Sequence, residues 1–210
     1  GYVEAVRGFF QRGADVNGLD AYQNAPLHWA IAHVPMTRLL LEKGARVNAK
    51  NNEGRTALHW AVQEGQEEVA KVLIGAGADV NAADKNSFTP LHVASLEGLE
   101  GIVQLLLAKA ARVDAEDVHR WTPLLLAGKY WLNDSATYLA TKAANINAED
   151  YHGRRILHWA AWNNGTKLVR LLLDRGADIN VAGRWGKTAL IWVIESMKGR
   201  MTELLLKRGA

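Results

Sequence analysis

The chain alternates short apolar segments with clusters of Gly, Asp and Asn, and the apolar residues inside each segment fall at the spacing of one helical face. The stretch Thr89-Pro90-Leu91-His92-Val93-Ala94 sets the pattern. Proline at its second position fixes φ for a first helical turn, the threonine ahead of it offers an N-cap oxygen, and Leu91 and Ala94 share a face. A Leu-Leu-Leu run further on predicts a second helix that supplies the opposite wall. The elements expected are therefore short helices in pairs, each pair closed by a turn.

The hexad returns, more or less eroded, as Ala25-Pro26-Leu27-His28-Trp29-Ala30, Thr56-Ala57-Leu58-His59-Trp60-Ala61, Thr122-Pro123-Leu124-Leu125-Leu126-Ala127, Arg155-Ile156-Leu157-His158-Trp159-Ala160 and Thr188-Ala189-Leu190-Ile191-Trp192-Val193. From the second copy on the interval is 33 residues. A second phrase, Gly-Ala-Asp-Val-Asn or a variant, runs in phase with it and closes at Asn17, Asn48, Asn81, Asp114, Asn147 and Asn180. Two markers locked to one period imply a repeat array, in which each layer is stable only when its neighbours cover it.

This combination of a Thr-Pro-Leu-His hexad, a Leu-Leu-Leu segment and Gly-Ala-Asp-Val-Asn at a 33-residue period resembles the ankyrin repeat family over all 210 residues. The resemblance implies an all-α solenoid of stacked antiparallel helix pairs with projecting β-turn fingers. It also implies an activity of binding other proteins, without naming a partner.

Read in order, the chain is one repeat domain, 1–210. It opens on a partial repeat, 1–18, whose apolar Tyr2, Val3, Val6, Phe9 and Phe10 suggest an array cut from a longer one. Full repeats follow at 19–49, 50–82, 83–115, 116–148 and 149–181, and a partial one spans 182–210. Repeat 19–49 lacks two residues around His33-Val34-Pro35, which predicts a tightened turn with Pro35 at the first position of the next helix. In repeats 50–82 and 83–115, Gly65 and Gly98 are expected to end first helices in the left-handed conformation. Repeat 116–148 departs most, with Trp121 before the hexad, Leu125 for His, Gly128-Lys129-Tyr130-Trp131 at the end of the first helix, and Ala143-Ala144-Asn145 for Gly-Ala-Asp. Repeat 149–181 brings Tyr151, His152, Arg154, Arg155 and Trp162 to positions expected to be exposed. At the far end, Trp192, Val193, Leu204, Leu205 and Leu206 are expected to form an uncovered face.

Composition narrows the possibilities. Hydrophobic residues make up 49%, enough for continuous burial between layers. There is no cysteine, which removes disulfides and thiolate chemistry and is compatible with an intracellular setting, cytoplasmic or nuclear. No apolar run is long enough to span a membrane. The net charge of +3 conceals an asymmetry: residues 1–105 carry 9 Lys/Arg against 12 Asp/Glu, and residues 106–210 carry 16 against 10. An acidic partner would be drawn to the C-terminal half by a field that salt screens.

Several residues invite a chemical reading and lose it. His28, His59, His92 and His158 recur one per layer at a fixed structural place, which points to hydrogen bonding between helix and finger, not to catalysis or metal binding. Gly183-Arg184-Trp185-Gly186-Lys187-Thr188 looks like a phosphate loop, but the glycine that loop needs is Val181, and a finger turn with a helix cap fits better. No nucleophile, paired-carboxylate or metal-ligand arrangement can be placed, so no enzyme activity and no cofactor are expected. Basic and aromatic residues on successive fingers admit nucleic acid, which the modest charge and the acidic first half oppose.

The eight tryptophans carry the strongest signal. Trp29, Trp60, Trp159 and Trp192 share the fifth hexad position, a stripe on or near the concave side, and Trp121 and Trp185 fall on fingers; aromatics of this kind anchor protein interfaces. Trp159 and Trp192 in adjacent layers also resemble the ankyrin repeats that cage methylated lysine, but Arg154 and Trp162 stand where that cage has a tryptophan and an acid. The expectation is a non-catalytic, monomeric interaction module that binds an acidic protein or peptide by its fingers and concave face. Trp121, Tyr130, Tyr151, Trp162 and Trp185 would be anchors, and Arg120, Arg154, Arg184 and Lys187 would select the partner. The alternatives are a structural spacer, a methyl-lysine reader, and the targeting arm of a larger enzyme.

Overall fold

The computed structural model describes residues 2–142 and 144–210, with only the backbone of Tyr2; the variant phrase at Ala143 thus lies partly outside the described residues. Thirteen α-helices and one 3-10 turn are found among them, and no strand. After α1 (Tyr2–Gln11), the helices come in pairs: α2 (Pro26–Trp29) with α3 (Val34–Glu42), α4 (Ala57–Gln63) with α5 (Glu67–Gly75), and α6 (Pro90–Leu96) with α7 (Glu100–Ala108). Then follow α8 (Pro123–Lys129) with α9 (Asn133–Thr141), α10 (Ile156–Trp162) with α11 (Thr166–Asp174), and α12 (Ala189–Glu195) with α13 (Gly199–Lys207). The chain divides into two compact units, Gly1–Ala94 with Gly101–Ala111 and Ser95–Glu100 with Arg112–Ala210.

In the first unit the hexad works through its histidine. The backbone N–H of Thr56 donates to His59 Nδ1 at 3.1 Å, and the Thr56 hydroxyl lies 2.9 Å from the same nitrogen. With Nδ1 accepting, the ring proton sits on Nε2, which donates to the Phe88 carbonyl of the next finger at 3.1 Å. His28 repeats the arrangement, taking the Ala25 N–H on Nδ1 and reaching the Arg55 carbonyl from Nε2 at 3.0 Å. In the second unit His158 links Arg155 N–H to the Lys187 carbonyl in the same way. Where the histidine is replaced, the threonine caps the helix itself: Thr122 Oγ1 accepts from Leu125 N–H, and Thr188 Oγ1 from Ile191 N–H.

The Asn that closes the second phrase ties layers at the opposite side. Asn48 Oδ1 accepts from Asp79 N–H at 2.8 Å while its Nδ2 donates to the Gly77 carbonyl at 3.1 Å. Asn17 does the same with Arg46 N–H and the Gly44 carbonyl. In the second unit Asp114 Oδ1 accepts from Asn145 N–H.

The fingers before residue 183 are turns, each folded around one side chain. Asn51, Asp84, Asp117 and Asp150 each use Oδ1 to accept two backbone N–H groups, two and four residues on. The 183–188 segment has Gly183 at that place and closes by Gly183 N–H donating to the Lys187 carbonyl, with Thr188 capping α12, so it is a finger and not a phosphate loop. Adjacent fingers join by single backbone bonds, Lys85 N–H to Glu53 carbonyl and Arg184 N–H to His152 carbonyl. Gly54, at φ 79°, allows the first of these: a Cβ there would lie 3.0 Å from Lys85 N.

The expected turn conformations are present at Gly65 (φ 64°) and Gly98 (φ 69°). Trp131 takes the same conformation (φ 68°) at the end of α8. The two-residue deletion acts more widely than a tightened turn. It shortens α2 to four residues, converts Ala30–Ala32 to a 3-10 turn, and places Pro35 second in α3, behind Val34. The N–H missing there is still one that no helical carbonyl could accept. Of the residues expected to be uncovered near the far end, Val193, Leu204 and Leu205 are buried. The exposed apolar side chains there are Ile191 and Ile194 on α12, Met197 in the turn after it, and Leu206 on α13.

The core of each unit is the hexad Leu and Ala against the second helix. Leu27, Leu58, Leu91, Leu124 and Leu157 are buried, as are Leu40, Leu73, Leu106, Leu139 and Leu172 on the second helices paired with them. Truncating Leu91 or Leu106 to Ala is expected to cost roughly 2–5 kcal/mol in urea denaturation; a loss under about 1 kcal/mol would place these residues outside the core.

The buried histidines also make stability depend on pH. Burial pulls the His59 imidazole from its usual 6.5 down to about 4, and burial likewise lowers His158. The unfolded chain then binds a proton between pH 6.5 and about 4 that the folded chain refuses, so stability is full above pH 6.5 and falls as pH falls. Going from pH 7 to pH 5 should remove about 2 kcal/mol through His59 alone, and His59→Gln should flatten that dependence while lowering stability at pH 7. Denaturant midpoints that stay level across this range would contradict the buried neutral imidazole.

Candidate docking groove

Six side chains of the second unit surround an open groove of about 520 Å³: Trp159, Trp162, Trp185, Lys187, Trp192 and Glu195. Trp159 and Trp162 lie three apart on α10, Trp192 and Glu195 three apart on α12, so each pair shares one helical face. Trp185 and Lys187 come down from the adjoining finger. The Trp192 ring stands nearly perpendicular to Trp159 (5.5 Å between centroids, 84°) and to Trp162 (5.7 Å, 81°), an edge-to-face cluster. Trp185 stacks at 5.1 Å on His152 and remains 62% exposed. Lys187 Nζ lies 2.7 and 2.9 Å from the two Glu195 oxygens.

The seat of Trp159 is set from below by an exchange of bulk. Ile156 occupies the hexad position that holds Pro or Ala in the other repeats, and Gly128 on α8 makes room for it: a Cβ at 128 would fall 2.3 Å from Ile156 Cδ1 and 3.4 Å from Trp159 Cβ. Above, Arg154 clamps the same ring. Its Nε donates to Asp150 Oδ2 at 2.6 Å, its side chain is only 17% exposed, and its guanidinium carbon lies 4.6 Å from the Trp159 ring centre and 5.6 Å from that of Trp121.

The residues anticipated from sequence therefore divide. Trp162, Trp185 and Lys187 line the groove. Arg184 and Tyr151 lie on neighbouring fingers, exposed, with the Arg184 guanidinium 5.9 Å from the Tyr151 ring centre. Trp121 is half-buried behind Trp159, 5.8 Å between centroids, with Lys129 Nζ 4.6 Å from its ring. Tyr130 is exposed beside Lys129. Arg120 is exposed in a left-handed turn conformation, 3.9 Å from Glu116. Of the repeat 149–181 residues expected at the surface, His152, Arg154 and Arg155 are half-buried, Arg155 because it pairs with Glu149 at 2.7 Å.

Glu195 and the groove-lining role of Trp159 and Trp192 were the parts that sequence reasoning missed as site residues; the three-residue spacing on α10 and α12 was the available signal. In the first unit Trp29 and Trp60 meet edge to face at 5.2 Å, with Trp29 Nε1 donating to Asp20 Oδ2 at 3.2 Å, and only a smaller hollow opens beside Trp60.

Paired helices, short finger turns and recurring side-chain stitches between layers define an all-α repeat solenoid. The chain belongs to the ankyrin repeat family: the model described as ankyrin repeats in three copies matches residues 1–84, 51–117, 81–150, 113–183 and 152–210. Among solved structures, the crystal structure of the human ASB11 ankyrin repeat domain is similar, with a TM-score of 0.86 and 28% identity, over 100% of this chain and 94% of that one. No curated protein matches the sequence. Ankyrin repeats are in general protein-interaction modules, and the fold is typically non-catalytic. No helix among the described residues is long and apolar enough to cross a membrane.

The exchange between Gly128 and Ile156 is testable as a pair. Gly128→Val is expected to destabilise by about 1–3 kcal/mol, and adding Ile156→Ala should recover part of that loss, so the double variant is more stable than the summed singles by about 1 kcal/mol. Strict additivity in urea denaturation would show that the two side chains do not compete for one space.

Proposed function

We propose that the chain is a non-catalytic docking module that holds an acidic protein or peptide at the groove formed by α10, α12 and the finger between them. The observation that carries this reading is the gathering of four tryptophans around one open hollow in a segment whose surrounding charge is positive. Indoles supply large, rigid apolar contact with little ordering cost, and buried aromatic anchors ringed by polar groups are the usual centres of interface affinity. The cations beside them, Arg184, Lys187 and Lys198, favour carboxylates and speed their encounter. Arg120 and Tyr151 extend the surface along the fingers, and Tyr130 at the end of α8 adds to it.

Arg154 has a different role in this reading from the one its position on a finger suggests. Its charge is met by buried Asp150, and its plane supports Trp159, so it shapes the groove instead of meeting the partner.

Affinity capture with the wild-type chain, compared with a Trp162→Ala, Trp185→Ala, Arg184→Ala variant, tests the reading. The expected result is acidic protein retained by the wild type, lost by the variant, and released as salt rises from about 50 to 500 mM. Retention of the same proteins by both chains, or of none, would favour a structural spacer in which the tryptophans only pack.

A further inference from the structure

The groove has the aromatic walls that often receive a cation, and Glu195 adds a carboxylate. Its electrostatics argue for a different guest. The Arg154 guanidinium already lies against Trp159, 4.6 Å from its ring centre, and Lys198 Nζ lies 5.3 Å from the centre of Trp162; neither cation belongs to the groove lining. Two of the four rings thus carry a positive charge of the chain's own from outside. A guest cation would have to share the Trp159 and Trp162 rings with these two cations. Lys187 also neutralises Glu195, the one carboxylate in the lining.

We propose that the groove takes an uncharged apolar side chain, aromatic or branched aliphatic, from a partner segment with carboxylates beside it. This rests on the docking reading above and names the chemistry of its occupant. The apolar side chain fills the space between Trp162, Trp185 and Trp192, and an adjacent Asp or Glu meets the cations at the rim. The Lys187–Glu195 pair is about half exposed, so it is weakly held, and Lys187 can exchange Glu195 for a carboxylate of the guest. Arg184, exposed on the same finger, provides a second contact.

Selection from a displayed library of random twelve-residue peptides, with the whole 210-residue chain as bait, tests this. Enriched peptides should carry an aromatic or branched aliphatic residue within three positions of an Asp or Glu. Trp162→Ala or Trp185→Ala should weaken them by about tenfold or more, and Arg184→Glu by about fivefold. Because these three side chains are exposed, the variants should melt within a few degrees of wild type, which separates loss of binding from loss of fold. Groove-dependent peptides centred on Lys or Arg, or a trimethyl-lysine peptide that displaces the enriched set, would overturn the proposed guest and leave docking at the groove standing. An absence of any peptide that depends on Trp162, Trp185 or Arg184 would overturn both.

Discussion

Within each unit a layer is stitched to its neighbour by directional hydrogen bonds from two recurring side chains. The hexad imidazole accepts a backbone N–H of its own helix start on one nitrogen and donates to the carbonyl of the next finger from the other, as at His28, His59 and His158. The phrase-closing carboxamide makes the matching pair of bonds on the opposite side, as at Asn17 and Asn48. Both residues are occupied on both of their polar atoms, and the imidazoles are buried. Burial alone drives Leu and Ala together; these directional bonds set the register at which they meet.

With the second, third and sixth hexad positions spent on packing and the fourth on stitching, the fifth is the place where a first helix can vary without breaking the layer. Two adjacent repeats put Trp there, at 159 and 192, and the next turn of each helix adds Trp162 and Glu195. A finger brings Trp185 and Lys187 to the same hollow. The surface is therefore built from positions the scaffold leaves open, while Gly128, Ile156, Arg154 and Asp150 adjust the packing so that the Trp159 ring stands where it does.

Periodicity made the helix pairs, the finger turns, the histidine stitch and the buried leucines legible in the sequence, because each is a local rule repeated at a fixed interval. The tryptophan stripe was legible as a list of positions. Its partition was not: which indole lines a hollow and which packs behind another depends on how bulk is traded between α8 and α10, and no one-dimensional spacing encodes that. Arg154 illustrates the limit. A finger arginine reads as a free cation, and only the closeness of Asp150 and two indoles turns it into a support. The deletion near Pro35 was visible as a count, but its main effect, the conversion of the end of α2 to a 3-10 turn, follows from how the remaining residues must span the same gap.

Each of the eight indole N–H groups gives its own NMR signal, so the docking site can be read directly. N-acetyl-phenylalanine joins one aromatic side chain to one carboxylate and is the smallest mimic of the proposed guest. Titrated to about 10 mM, a range suited to so small a ligand, it is expected to shift Trp162, Trp185 and Trp192 and leave Trp29 and Trp60 in place. Shifts that begin at Trp29 and Trp60, or a stronger response of the same groove signals to N-acetyl-trimethyl-lysine amide, would contradict an apolar, acid-flanked guest at this groove.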